Sequence, residues 1–261
     1  MQQFVDLKQY PLDGLSDPAG LDFIAECQNQ LEDQGMFNLV GFLHPEAIDQ
    51  ILSEVVPLFD DQAFKHARRH NIYFDPDPPG LAADHPARQE FQTFNHTICA
   101  DQIADSLLCR LYEWPPMRQF LAAVMGKPEL HLMADPLARV NVMAYEHGEA
   151  LNWHFDRSEF TTTILLQSPQ TGGEFQYCRN LRTDDDPNYD GVAQMLAGQD
   201  KDVVTMALEP GTLNIFRGKN TAHRVTDIEG DTPRVITVFS YFEEPGRLFS
   251  DEERLGFYGR V

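Results

Sequence analysis

RVNVMAYEHGEALNWHFD, residues 139–156, is the stretch that decides how this chain folds. Its first seven residues, Arg139 to Tyr145, are rich in β-branched and apolar side chains and read as a strand. Tyr145-Glu146-His147-Gly148 reads as a turn, and the strand that follows carries His154-Phe155-Asp156. Residues i and i+2 of a strand share a face, so the imidazole of His154 and the carboxylate of Asp156 can reach one metal ion. Alone the triplet carries little weight, because nine histidines and 24 aspartates in 261 residues supply roughly one by chance.

The strand period begins near residue 130 and continues after this stretch. Residues 131–134, 160–166, 202–207, 212–216 and 234–242 are strand-forming runs, with turns at Gly172-Gly173 and Pro210-Gly211. Before residue 130 the period is helical. Asp17-Pro18 opens a helix with Leu21, Ile24, Cys27 and Leu31 on one face and Gly35 as its stop. Pro45 opens a second helix, and two more are expected over 101–113 and 115–125, after a short strand at 36–40. The 60–95 segment, broken by Asp75-Pro76-Asp77-Pro78-Pro79-Gly80, is the least regular. The pattern predicts a mostly β protein with a helical layer (α+β), a β-sandwich or jelly roll. The chain is expected to be a single domain: a mainly helical part over 1–128, a β core over 129–245 and a tail over 246–261.

Composition narrows the function. With 41 acidic and 20 basic residues the formal charge is −21, which disfavours binding to a phosphate backbone, so nucleic acid is not an expected partner. No apolar run approaches the length of a membrane helix, and MQQFVDLKQYPLDG at the N-terminus shows no signal peptide. Cys27, Cys99, Cys109 and Cys178 form no CxxC pair and read as reduced thiols of a cytoplasmic protein. Nucleophile-elbow, P-loop and Rossmann fingerprints are all missing.

His223 lies on a later strand run, in Thr221-Ala222-His223-Arg224-Val225, and Arg234 opens the last long one. Two histidines and a carboxylate make the facial set that binds non-haem Fe(II) with positions left open. An arginine deep in such a pocket pairs bidentately with a carboxylate. With His154-Phe155-Asp156, Tyr145–Gly148, Gly172–Phe175 and Pro210–Phe216, this constellation resembles the Fe(II)/2-oxoglutarate-dependent dioxygenases, over roughly Arg139 to Tyr241. The resemblance implies a double-stranded β-helix (cupin-like jelly roll) with N-terminal helices packed on one sheet. It implies His154, Asp156 and His223 as iron ligands and Arg234 as the 2-oxoglutarate anchor, with Tyr145 and Asn141 as further partners of that cosubstrate. O2 would be the oxidant, with succinate and carbon dioxide as coproducts.

A closer resemblance, carried by Arg68–Phe74, Trp153–Asp156, Leu165–Gln167, Phe216–Gly218 and the ending Phe257–Arg260, is to the subgroup of radical amino-acid halogenases and their hydroxylating relatives. Those halogenases have Gly or Ala where this chain has Asp156, which frees an iron position for chloride. The carboxylate here therefore implies a hydroxylase acting on an unactivated carbon of a free amino acid or related amine. Arg68 and Arg69 in the 60–95 segment, Arg157 beside Asp156, and Ser240 at the strand parity of Arg234 are the candidate substrate residues. Arg157 could instead pair with Glu159, and apolar Val238 beside Ser240 argues against a lysine side chain there. Asp184-Asp185-Asp186 reads as a solvated loop. A peptidyl or protein hydroxylase, a desaturase, and a sensor that binds metal and 2-oxoglutarate without turnover remain as alternatives, and a homo-oligomer is compatible with the sequence.

Overall fold

Backbone hydrogen bonding in this chain is taken up by two larger antiparallel sheets, two two-stranded ones and a set of helices. The computed structural model describes residues 1–261. Strands β1 (Met36–Leu39), β2 (Phe64–His70) and β3 (Phe91–Cys99) interleave with helices α1 (Pro18–Gln34), α2 (Pro45–Val55), α3 (Leu107–Glu113) and α4 (Pro115–Val124). Next come β4 (His131–Leu132), β5 (Val140–Tyr145), β6 (Leu151–His154), β7 (Thr161–Gln167), β8 (Thr171–Gly172) and β9 (Phe175–Cys178). After α5 (Tyr189–Leu196) run β10 (Val204–Met206), β11 (Leu213–Phe216), β12 (Ala222–Val225), β13 (Ile228–Glu229), β14 (Arg234–Phe239) and β15 (Tyr241–Phe242), and α6 (Asp251–Tyr258) closes the order.

The large sheet has the strand order β1-β11-β7-β14-β5-β3-β2, the small one β10-β9-β12-β6, and the two-stranded ones are β13-β8 and β15-β4. The outer face of the large sheet is apolar. Val140, Val142, Ile164, Ile215 and Val235 pack there against Leu31, Ile51, Leu108, Met117 and Phe120 from α1 to α4. Proline at the first turn of α1, α2 and α4 fixes where those helices begin. The inner face meets the small sheet through Leu165 and Ile236 against Val225, and through Met36 and Phe216 against Phe175. Strand register lays polar side chains across this inner face: Asn38, Asn214, Thr163 and Asn141 form one row, interrupted by the apolar Val238. Arg234 and Tyr145 are direct partners in another. The result is the jelly roll with a helical layer that the sequence period implies.

Three segments differ from expectation. The 60–95 region supplies two strands of the large sheet, β2 and β3, paired over seven residues from Phe64↔Thr97 to His70↔Phe91. In β2 the inward residues are Phe64, His66, Arg68 and His70, so apolar alternation is missing although the pairing is regular. The helix expected over 101–113 starts at Leu107, capped by the Ser106 hydroxyl, after a 3-10 turn at Ala100–Ile103. The tail at 246–261 contains α6, which a Ser250/Glu253 capping box begins and Gly259, at φ 68°, ends.

Helix α6 is held by Asp135, whose side chain is fully buried. Its Oδ1 accepts from the amides of Leu137 and Ala138, and its Oδ2 from the Phe249 amide and Arg254 Nε at 2.8 Å. Burial works against ionisation, but the Arg254 bond and the three amides outweigh it and hold the carboxyl below its ordinary value. The stabilisation is therefore present above the usual carboxylate range and lost as pH falls through the lowered folded value. Asp135→Ala strips three amides of their acceptor and leaves Arg254 only its 3.8 Å contact with Asp251, and is expected to cost about 3–5 kcal/mol in urea unfolding at pH 7, with a smaller difference from wild type below pH ~4.

Candidate active site

His154 ends β6 and His223 sits in β12, and the two are direct cross-strand partners in the small sheet. Their rings are 4.1 Å apart between centroids. Each Nδ1 lies against a backbone carbonyl, Asn152 O at 2.8 Å for His154 and Thr221 O at 2.9 Å for His223. A nitrogen facing a carbonyl must carry the proton, so both Nε2 atoms present lone pairs. Both point at Asp156 Oδ1, at 3.4 and 3.5 Å. Burial, with His223 as neighbour, pushes the His154 imidazole down, which keeps it neutral at pH 7. Burial also opposes charge on Asp156, and it is a proton on the His223 or His154 imidazole that offsets this and holds the carboxyl well below the usual range.

Three donor atoms within 4.8 Å of one another, from two imidazoles and one carboxylate, suit a divalent iron. The carbonyls on Nδ1 are the outer contacts that keep metal-ligating imidazoles oriented. Two residues that the sequence reading did not single out flank Asp156. The Thr161 hydroxyl donates to Oδ2 at 2.5 Å, and the Asp156 amide donates to Gly218 O at 3.0 Å.

Behind this cluster lies Arg234, 2 % exposed. Its Nε donates to Gly173 O at 3.2 Å, while its Nη1 is buried with no partner. Burial pushes the guanidinium down to about 10, so it stays charged at neutral pH. Gly173, at φ 67°, permits the approach, since a Cβ there would lie 3.1 Å from Arg234 Cδ and 2.8 Å from Ile228 Cδ1. Tyr145 stands opposite Arg234 on β5; burial pushes its phenol up to about 12, and its hydroxyl meets only Met143 Sδ at 3.9 Å. Leu165, Val225, Ile228 and Ile236 form apolar walls. A buried cation with a free N–H, an idle phenol beside it and dry walls fit a carboxylate ligand.

The other sequence-selected residues divide. Arg68 is exposed but lies on the inward side of β2 with neither an ion pair nor a hydrogen bond, its guanidinium 4.7 Å above the Phe74 ring. Phe74, in the left-handed region at φ 55°, stacks on His70 at 4.2 Å and meets the His154 ring edge-on at 5.7 Å. Arg68 is thus separated from the metal cluster by one aromatic ring. Arg69 points the opposite way, 69 % exposed and paired with Glu90, because adjacent strand residues alternate faces. Asn141 lies four residues along β5 from Tyr145, the partner of Arg234: its amide donates to Leu137 O and accepts from Tyr258 on α6. Arg157 pairs with Glu253 of α6 at 2.9 Å and lies over Phe257, while Glu159 pairs with Lys127. Ser240 makes backbone bonds to Arg139 and Tyr112, and its half-buried hydroxyl makes no bond. Asp184 pairs with Lys219 in an exposed loop.

His96, Glu146 and Glu149 form a second group, His96 Nε2 lying 3.1 Å from Glu149. Glu149 also accepts from the Glu146 amide, so this group fastens the turn after Tyr145.

Residues 20–247 match the sequence profile of the family described as HalD, Halogenase D. No curated protein matches the chain. Among solved structures, the epimerase SnoN from nogalamycin biosynthesis, in complex with Fe3+, alpha ketoglutarate and nogalamycin RO, is 16% identical, with a TM-score of 0.57 over 87% of this chain and 84% of that one. A 2OG-Fe(II) oxygenase family oxidoreductase from Burkholderia pseudomallei is 15% identical at TM-score 0.53, over 86% and 92%. A prolyl hydroxylase from Trichoplax adhaerens, with a hypoxia inducible factor peptide, is 14% identical at 0.52, over 87% and 94%. At these identities the likeness establishes the fold, that of Fe(II)/2-oxoglutarate oxygenases.

The donor cluster predicts that Co2+, an air-stable probe, raises the melting temperature of the wild type at pH 7.5. At a hundredfold excess over Kd the gain is about 2.7 kcal/mol. His154→Ala and His223→Ala are expected to abolish it. The gain is full while the imidazoles are neutral and fades on acidification as protons displace the metal.

Proposed function

Since the chain belongs to the HalD (Halogenase D) family, we propose that it is an Fe(II)/2-oxoglutarate-dependent hydroxylase of a free amino acid or amino-acid-like small molecule. The observation that carries the reading is the Asp156 carboxylate, seated 3.4 and 3.5 Å from the two imidazoles where a halogenase would need room for chloride. His154, Asp156 and His223 would hold Fe(II). Arg234 and Tyr145 would hold the distal carboxylate of 2-oxoglutarate. Bound there, iron, 2-oxoglutarate and O2 supply the oxidising power to place one oxygen atom in a C–H bond, with succinate and carbon dioxide released.

The chain's own residues bind, orient and exclude water. Arg234 enters the pocket already charged and lacking a counter-ion, so a dicarboxylate relieves a buried charge as it binds. Leu165, Val225, Ile228 and Ile236 leave water no polar partner along the chain of the cosubstrate. Arg68 offers its guanidinium to the substrate carboxylate, and Phe74 forms the wall between that anchor and His154. Substrate carbons beyond the carboxylate then extend past Phe74 towards the metal cluster. Arg157, tied to Glu253 and stacked on Phe257, joins the loop after Asp156 to α6.

The test is mass spectrometry of purified protein with Fe(II), 2-oxoglutarate, O2, chloride and a pool of free amino acids. An amino acid gaining one oxygen atom, with matching succinate and no chlorinated product, is the expected result; a chlorinated product sinks the hydroxylase reading. Arg68→Met should raise KM for the amino acid by about 10–100-fold while leaving 2-oxoglutarate affinity intact. Arg234→Met should weaken 2-oxoglutarate by at least about a hundredfold, two charge-assisted hydrogen bonds at ~1.5 kcal/mol each. The same variant should melt at a higher temperature than the wild type without cosubstrate, because an unpaired buried charge is gone.

A further inference from the structure

The Asp156 carboxylate is fixed on every side. Oδ1 faces both imidazoles, at 3.4 and 3.5 Å. Oδ2 is turned away from them and accepts the Thr161 hydroxyl at 2.5 Å. The backbone amide of Asp156 donates to Gly218 O, and the carboxyl group occupies the space that a Cβ on Gly218 would take. A Cβ at position 218 would sit 2.7 Å from Asp156 Cγ and 2.8 Å from its Cβ, closer than real Cβ atoms come to one another's neighbours. Strand pairing explains how both residues reach the site. Thr161 opens β7 opposite Phe216, the last residue of β11, and Gly218 lies two residues beyond Phe216. The β7–β11 pair thus delivers a hydroxyl and a bare backbone to the same carboxylate.

We propose that Thr161 is the positioning residue that makes Asp156 a one-oxygen ligand, and that Gly218 is the wall without which the carboxylate cannot seat. The inference rests on the reading of His154, Asp156 and His223 as the metal site. A carboxylate has two equivalent oxygens and, unrestrained, can swing to offer both to a cation. With Oδ2 engaged by Thr161, only Oδ1 remains for the metal, and one more coordination position stays open for small ligands. Thr161 touches neither imidazole and acts only through Asp156. A side chain at Gly218 would collide with the carboxyl group whichever oxygen was offered.

The experiment is titration of the whole chain with Co2+ at pH 7.5, following both the dissociation constant and the intensity of the cobalt d–d absorption, which reports coordination number. Thr161→Val is expected to weaken Co2+ by about 10–100-fold, the usual effect of losing an outer-shell partner, and to alter the d–d intensity. Thr161→Ser, which keeps the hydroxyl, should match the wild type in both. Gly218→Ala should lose Co2+ affinity at least as strongly as Thr161→Val, with melting of the metal-free chain reported alongside. Thr161→Val binding with wild-type affinity and spectrum overturns the proposal, as does equal loss in Thr161→Val and Thr161→Ser. Gly218→Ala binding like the wild type overturns the role of the wall. Wild-type protein that binds no Co2+, or binds it equally after His154→Ala, overturns the metal reading and this inference with it.

Discussion

The pairing of His154 with His223 across β6 and β12 is the constraint on which the site depends. Because side chains alternate at every residue of a strand, a slip of one position would send one imidazole to the opposite face. The register is pinned on both flanks: β12 pairs with β9 from Ala222↔Cys178 to Val225↔Phe175, and the β6–β12 ladder breaks its regularity between His223 and Val225. That irregularity falls beyond the histidine pair, so it does not disturb the donors. The Nδ1 contacts with Asn152 and Thr221 then convert strand register into ring orientation, since each carbonyl belongs to the strand or turn just before its own histidine.

Charge is distributed unevenly about that centre. The chain carries a formal −21, yet three guanidinium groups stand around the His154, Asp156 and His223 cluster and the pocket behind it. Arg234 lies buried behind it, Arg68 beside it over Phe74, and Arg182 over Phe155 at 4.0 Å, donating to Lys219 O. Burial pushes Arg68 and Arg182 below the ordinary arginine value, the sign of cations held partly out of water. Cations concentrated in a recess of an acidic protein favour small anions that can enter and disfavour polyanions repelled by the surface. That arrangement suits carboxylate ligands.

Much of this was legible in the sequence, for reasons that particular residues make clear. The large-sheet strands β5, β7, β11 and β14 showed because their outer faces pack on helices and so carry Val, Ile and Leu at alternate positions. Strand β2 did not show, since its inward residues after Phe64 are His66, Arg68 and His70, selected by a polar mouth and not by a core. The His154, Asp156 and His223 set was found from spacing and company, and Arg68 was separated from Arg69 only by strand parity in the structure. Asn141 shares strand parity with Tyr145, and its amide oxygen accepts from Tyr258 of α6, a helix that a short, charged, C-terminal stretch did not announce. Thr161 carries no signal of its own, because a threonine at a strand start is ordinary, and Gly218 shows only as the end of the Phe216–Gly218 motif, with nothing to tie it to Asp156. Only the β11–β7 pairing gives them a common target.

The same pairing explains why a carboxylate can stand in a family described by halogenation. Filling the third ligand position takes more than an acidic side chain at residue 156, since the carboxyl group must also find room and a partner for its second oxygen. Gly218 supplies the room and Thr161 the partner, while the Arg157–Glu253 ion pair anchors the loop that follows to α6. Helix α6 is in turn fastened through Asp135, a fully buried carboxylate with four donors. Asp156 is therefore braced from three directions: the two strands that pair at its flank, the imidazoles it faces, and the C-terminal helix. A chain lacking the carboxylate would leave Thr161 Oγ and the bare face of Gly218 lining an opening beside both imidazoles. The choice between a fixed oxygen ligand and an exchangeable one thus depends on residue 156 together with the two neighbours that the sheet places against it.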